Sequence, residues 1–195
     1  MKKIQIILLL LVGISLKINA QQPEVDLFNG RKTGSKDNGT YYKDLQGILN
    51  PFVGTWECEY FENGINKKFV LTLTKTEAFF FPWGNYGSYH DGLLYNYQIY
   101  HNNTLIYSSI QNPKPFCVIR DYDKVSMVFV DYLRNGIMFD VDIQYALVIQ
   151  QGGGGQERLY FDRAAASLWN NQYFRDHPNE SYSSMPTNIF LTRAD

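Results

Sequence analysis

The run Asn50-Pro51-Phe52-Val53-Gly54-Thr55-Trp56 constrains the fold most, because it opens onto an alternating strand that stops at the turn dipeptide Asn63-Gly64. A glycine two places before a tryptophan, at the mouth of a first strand, lets the backbone pass close while the indole plugs one end of a closed sheet. Gly54, Trp56, Cys58 and Tyr60 share one face and Thr55, Glu57 and Glu59 the other, the alternation of a half-buried strand. Asn63-Gly64 supplies the positive-φ pair of a tight hairpin. Its partner strand is expected over 68–76, with Phe69, Leu71 and Leu73 facing inward.

Further strands are expected over 93–100, 105–110, 116–120, 125–132, 137–149, 158–161 and 188–193, separated by Asn102-Asn103, a proline-bounded turn at 113–115, Asn135-Gly136 and the glycines of 152–155. Segment 79–87, Phe-Phe-Phe-Pro-Trp-Gly-Asn-Tyr-Gly, reads as an aromatic loop folded over a mouth of the sheet. Segment 164–169 is the one good helical nucleus, with a helix expected to continue to about Tyr173. Aromatics make up 16% of the chain and fall mostly in the strands, which suits large side chains lining an interior. The expected fold is all-β: an antiparallel lipocalin/calycin-like barrel of about eight strands with one short helix before the last strand. A β-sandwich is the structural alternative, since the two share strand count and alternation.

Lys2 and Lys3, the apolar stretch 4–14 and the small residue Ala20 have the layout of a signal peptide over 1–20. A polar, glycine-broken stretch over 21–44 reads as a flexible leader, and 45–195 as the folded domain. The apolar stretch is shorter than the roughly 18–20 residues of a spanning helix, so no membrane span is expected after cleavage. No cysteine follows the cut, which points to a secreted or periplasmic protein without a lipid anchor. The chain carries a net charge of −1. Removing Lys2, Lys3 and Lys17 leaves 15 basic against 19 acidic residues, or −4, with nothing basic to recruit nucleic acid.

The strand count, the plugged end and Gly54-Thr55-Trp56 resemble the lipocalin and fatty-acid-binding group with its G-x-W motif. The resemblance implies that Arg193 on the last strand covers Trp56 by cation–π stacking. Asn19-Ala20-Gln21, the run 52–57 and the ending 185–193 resemble a narrower group, the secreted flavobacterial domains of unknown function. That likeness implies a lipocalin-like exported protein of a Bacteroidetes-type bacterium and transfers no catalytic residue.

Chemical motifs are few. His90, His101 and His177 lack the close, regular spacing of zinc ligands, so no metal or other cofactor is expected. Asp121, Asp123, Asp131, Asp140 and Asp142 are expected on turns or on the wet side of a strand. No G-x-S-x-G elbow is present, and the chain does not read as an enzyme. Cys58 and Cys117 are the only cysteines, and both a disulfide and two buried thiols remain open. Two function classes follow. One is capture of a small hydrophobic ligand in a cavity walled by Tyr60, Phe69, Leu71, Tyr95, Tyr97, Phe129, Phe139 and Val141. The other is a structural or interaction domain in which the same side chains simply fill the interior.

Overall fold

Two asparagine-led turns, at 63–64 and 102–103, each set the register of the two strands they join. In a computed structural model, Asn63 and Gly64 take φ values of 53° and 80°, and Asn102 and Asn103 take 47° and 65°. Positive φ at both central residues matches the right-handed twist of paired strands, so each turn closes a tight hairpin. The structure describes residues 24–30, 39–83, 86–109, 114–115, 117–131, 133, 137–149, 155–163 and 184–194. Its elements are β1 (Glu24–Asp26), α1 (Leu27–Gly30), β2 (Tyr41–Lys43), a 3-10 turn (Asn50–Phe52), β3 (Gly54–Glu62), β4 (Ile65–Trp83), β5 (Tyr86–His101), β6 (Thr104–Ser108), β7 (Lys114–Pro115), β8 (Cys117–Asp121), β9 (Lys124–Asp131), β10 (Ile137–Ile149), β11 (Gly155–Arg163) and β12 (Ile189–Arg193).

The expected closed antiparallel barrel does not form. The strands make one sheet with ends, in the order β1-β2-β5-β4-β3-β12-β11-β10-β9-β8, with β6 and β7 attached to β5. Pairing is mixed, because β1 with β2 and β2 with β5 run parallel. The physical reason lies at β5. Its edge away from β4 is shared among three short strands, β2 at Tyr89 and His90, β7 at Leu94 and Tyr95, and β6 from Gln98 to His101. The chain then passes from β7 to β8, which among the described residues pairs with β9 alone. Among the described residues, the two margins are thus joined by the covalent chain and not by a continuous ladder.

Three other expectations change. Segment 79–87 is not a loop: β4 and β5 continue as a hairpin that pairs Phe79 with His90 and Trp83 with Tyr86, past an irregularity between Thr76 and Phe79. Part of the polar leader joins the sheet as β1 and β2, burying Leu27 and Tyr42. Asp131 is fully buried and not on a wet face. The signal segment 1–20, the helix over 164–173, the Asn135-Gly136 turn and His177 lie outside the described residues.

The core sits on one face of the sheet. Alternation places Phe69, Leu71 and Leu73 of β4 and Phe139, Val141 and Ile143 of β10 there, all buried, while Glu59, Thr74, Asp140 and Gln144 are exposed. Aromatic rings tie distant strands together. Tyr95 of β5 stacks on Phe129 of β9 at 4.0 Å, and Phe161 of β11 meets Phe129 at 5.5 Å and Phe69 at 5.4 Å. Each such pair adds about 0.5–1.5 kcal/mol beyond the area it buries.

Candidate functional site

At one end of the sheet, Trp56 is completely buried and its Nε1–H donates to the Phe52 carbonyl at 2.8 Å. Proline at the start of the 3-10 turn fixes the backbone that presents this carbonyl. The Arg193 guanidinium lies 4.4 Å from the centroid of the Trp56 ring and donates to the Val53 carbonyl at 2.9 Å and the Pro51 carbonyl at 3.4 Å. Gly54 makes this approach possible. It takes φ 140°, and a Cβ there would stand 2.5 Å from Arg193 Nη1. Arg193 also pairs with Glu157, which accepts from the Tyr145 hydroxyl at 2.9 Å. That hydroxyl bond, helped by Arg193, holds the Glu157 carboxyl below its usual range, and burial raises the Tyr145 phenol. The arrangement is a structural cluster at the start of β3 whose polar groups are bonded.

Of the eight residues proposed to wall a cavity, seven come together in the buried core. Phe69, Leu71, Tyr95, Tyr97, Phe129, Phe139 and Val141 are each at or below 2% exposure. Tyr60 is half-buried near the β3–β4 turn, and burial pushes its phenol up. The tyrosine hydroxyls have backbone partners. Tyr97 donates to the Val130 carbonyl at 2.9 Å, and the Tyr95 hydroxyl accepts from Val130 N–H at 3.0 Å. Among the described residues the ladder between β8 and β9 reaches to Met127, so Val130 lies beyond it and these phenols bond its backbone groups where no described strand does.

Alternation patterns do not reveal buried carboxylates, and the described residues include three. Asp91 accepts from the Tyr41 hydroxyl, from Asp44 N–H at 2.9 Å and from Ala78 N–H at 3.2 Å. Ala78 takes φ 49° at the irregularity in β4, so Asp91 serves the backbone that the bend unpairs. Asp44 accepts from Ile48 and Leu49 N–H and from Lys75 Nζ at 2.9 Å. Asp131 accepts from the Ser184 backbone at 2.7 Å and hydroxyl at 2.6 Å. Each anchors a crossing chain. The signal for Asp44 was local, an aspartate four residues before a short apolar turn; for Asp91 and Asp131 no sequence signal separates them from solvated acids.

Cys58 is a free thiol on β3, and burial raises its pKa to about 11. The side chain of Cys117 lies outside the described residues. His90 stacks on Tyr42 at 4.7 Å and bonds Ser88 Oγ through Nε2 at 2.6 Å. Among the described residues no three His, Cys, Asp or Glu side chains converge to hold a metal ion, and no helix is long and apolar enough to cross a membrane.

Residues 1–128 match a family of unknown function, DUF6705. The chain belongs to that family. No curated protein and no solved structure matches it. The DUF6705 match takes in Gly54, Trp56, Asp44, Asp91, Tyr95 and Tyr97, and stops just short of Val130. Two halves of the arrangements above, Val130 and Arg193, therefore come from the part of this DUF6705 protein beyond the matched span.

Proposed function

We propose that this DUF6705 protein is an exported β-sheet domain with a filled interior, acting through its outer surface and enclosing no ligand. The observation that carries the reading is the engagement of Val130 by Tyr95 and Tyr97. A hydroxyl that orients a ligand has to be able to change partners, and these two complete the backbone bonding of a sheet edge. Taking either from Val130 leaves a buried amide group unpaired, at a cost of about 1–3 kcal/mol. The neighbouring side chains support the same reading, since a cavity wall retains accessible surface and these retain almost none. Capture of a small apolar or amphipathic molecule requires the rings to part. Export rests on Lys2, Lys3, the apolar stretch 4–14 and Ala20, and a Bacteroidetes-type origin on the resemblance of 52–57 and 185–193.

Native mass spectrometry of the processed protein from its own host tests this. A bare chain mass with no uptake of an apolar dye is expected. A lipid-sized adduct travelling one to one with the chain overturns the reading.

A further inference from the structure

We propose that residues Glu24–Gly30 form a clasp that holds the two ends of the open sheet together, and that release of this clasp, with the long strands still paired, is a conformational step built into the fold. β1 stands first in the sheet order and β8 last, so a ladder between those two would close the sheet. The ends meet by another route. Phe28, two residues after β1, lies with its ring 4.3 Å from that of Tyr122, the residue that follows β8. An aromatic contact thus spans the margin that backbone pairing leaves open. Between β1 and Phe28, Leu27 enters the core with 4% of its surface exposed, and Val25 packs against the same cluster. Burial of this leucine side chain is what seats so short a segment against the body.

The segment is built to come away as a unit. Its strand has three residues and its helix four. Among the described residues β1 pairs with β2 alone, Glu24 opposite Tyr41 and Asp26 opposite Lys43. Asp26 closes the turn of α1 from within, its Oδ1 accepting from Phe28 N–H and Asn29 N–H, each at 3.0 Å, while its Oδ2 accepts from Gln46 Nε2 at 3.0 Å. Lys43 and Glu24 add an ion pair at 3.3 Å, both side chains more than a third exposed, where such pairs contribute little. Release gives up a short parallel ladder, the Gln46 and Lys43 bonds, the Leu27 seat and the ring contact. It touches none of the ladders that join β3 to β4, β4 to β5 and β10 to β11. Ordering the segment costs backbone entropy that these few contacts have to offset, which puts the clasp at the low-stability end of the fold.

Opening uncovers the core at the seat of Leu27 and frees the β8–β9 turn from the opposite margin. β5 and β9 stay joined meanwhile through the Tyr95 and Tyr97 bonds to Val130 and the stacking of Tyr95 on Phe129. The clasp is therefore a strap over a sheet that supports itself, and it acts in the same way over a filled or an open interior.

Amide hydrogen exchange of the processed protein, resolved by peptide mass spectrometry, tests this. Over 24–30 exchange should be slower than in an unstructured peptide, faster than in β10, and almost insensitive to low urea, because a local opening exposes little surface. Tyr122 is 56% exposed, so Tyr122→Ala leaves the core intact, and it should accelerate exchange over 24–30 about two- to tenfold with β4 and β10 unchanged. Tyr122→Phe keeps the ring and should match the wild type. Added to Phe28→Ala, Tyr122→Ala should have no further effect on 24–30. Unprotected amides over 24–30 in the wild type, no acceleration by Tyr122→Ala, or an acceleration shared equally by β10 overturns the proposal. So does exchange over 24–30 that rises with urea as steeply as that of β10, since the clasp would then open only with the whole sheet.

Discussion

Gly54→Ala probes the Trp56–Arg193 contact most sharply. At φ 140° the residue sits where side chains are strained, and holding alanine there costs about 1–3 kcal/mol. The new methyl would also stand 2.5 Å from Arg193 Nη1, the atom that donates to the Val53 carbonyl at 2.9 Å. Displacing the guanidinium weakens that charge-assisted bond and its 4.4 Å contact with Trp56, worth about 1–3 kcal/mol more. Urea denaturation followed by circular dichroism and tryptophan fluorescence should therefore show a loss of about 2–6 kcal/mol. In an Arg193→Ala background only the backbone share should remain, giving a coupling of about 1–3 kcal/mol between the two positions. A loss below about 1 kcal/mol, or the same loss in both backgrounds, refutes the argument that Gly54 exists to admit Arg193.

Tyr97→Phe leaves the Val130 carbonyl without its phenol donor and should lower stability by about 1–3 kcal/mol in the same assay, while Tyr60→Phe should stay within about 0.5 kcal/mol; equal effects would contradict the assignment. Asp91→Ala strips the acceptor from Tyr41, Asp44 and Ala78, so amide exchange over 41–49 should accelerate relative to β10, and a uniform change across the sheet would count against a local anchor. Burial favours the neutral Cys58 thiol and raises it from 9.0 to about 11, so the stability tied to that thiol is present below pH 9 and is lost as the pH climbs through about 11. Peptide-mapped alkylation of Cys58 should accordingly keep accelerating between pH 9 and about 11, and a plateau by pH 9 would contradict the burial argument.

Local chemistry was legible and closure was not. Asn63-Gly64 and Asn102-Asn103 announced their hairpins because positive φ selects those residues, and the strand expected over 137–149 has the bounds of β10, although its alternation holds only to Ile143, beyond which Leu147 and Ile149 are exposed. Segment 79–87 misled because three consecutive phenylalanines erase a period of two, and the unpaired Ala78 that lets the hairpin resume is visible only beside Asp91. β1 and β2 span three residues each, too few for any period to register. Whether a sheet closes depends on which edges meet, and here β5 divides its edge among three short strands while two phenols complete β9. None of that is written in the alternation of any one strand. The same inward residues read equally as a cavity wall or a core, and it is the partners of Tyr95 and Tyr97, with the near-complete burial of their neighbours, that favour the core.

The claim that the interior is full is tested most directly by comparing apolar probe uptake in the wild type and in Leu71→Ala. Leu71 is completely buried, so its truncation should open a dry apolar cavity and cost about 2–5 kcal/mol. Titration with a benzene-sized probe, read by nuclear magnetic resonance, should perturb the interior of the variant and leave the wild type unchanged. Saturable uptake of a lipid-sized molecule by the wild type, shifting Tyr97 and Phe129 resonances, would contradict the account.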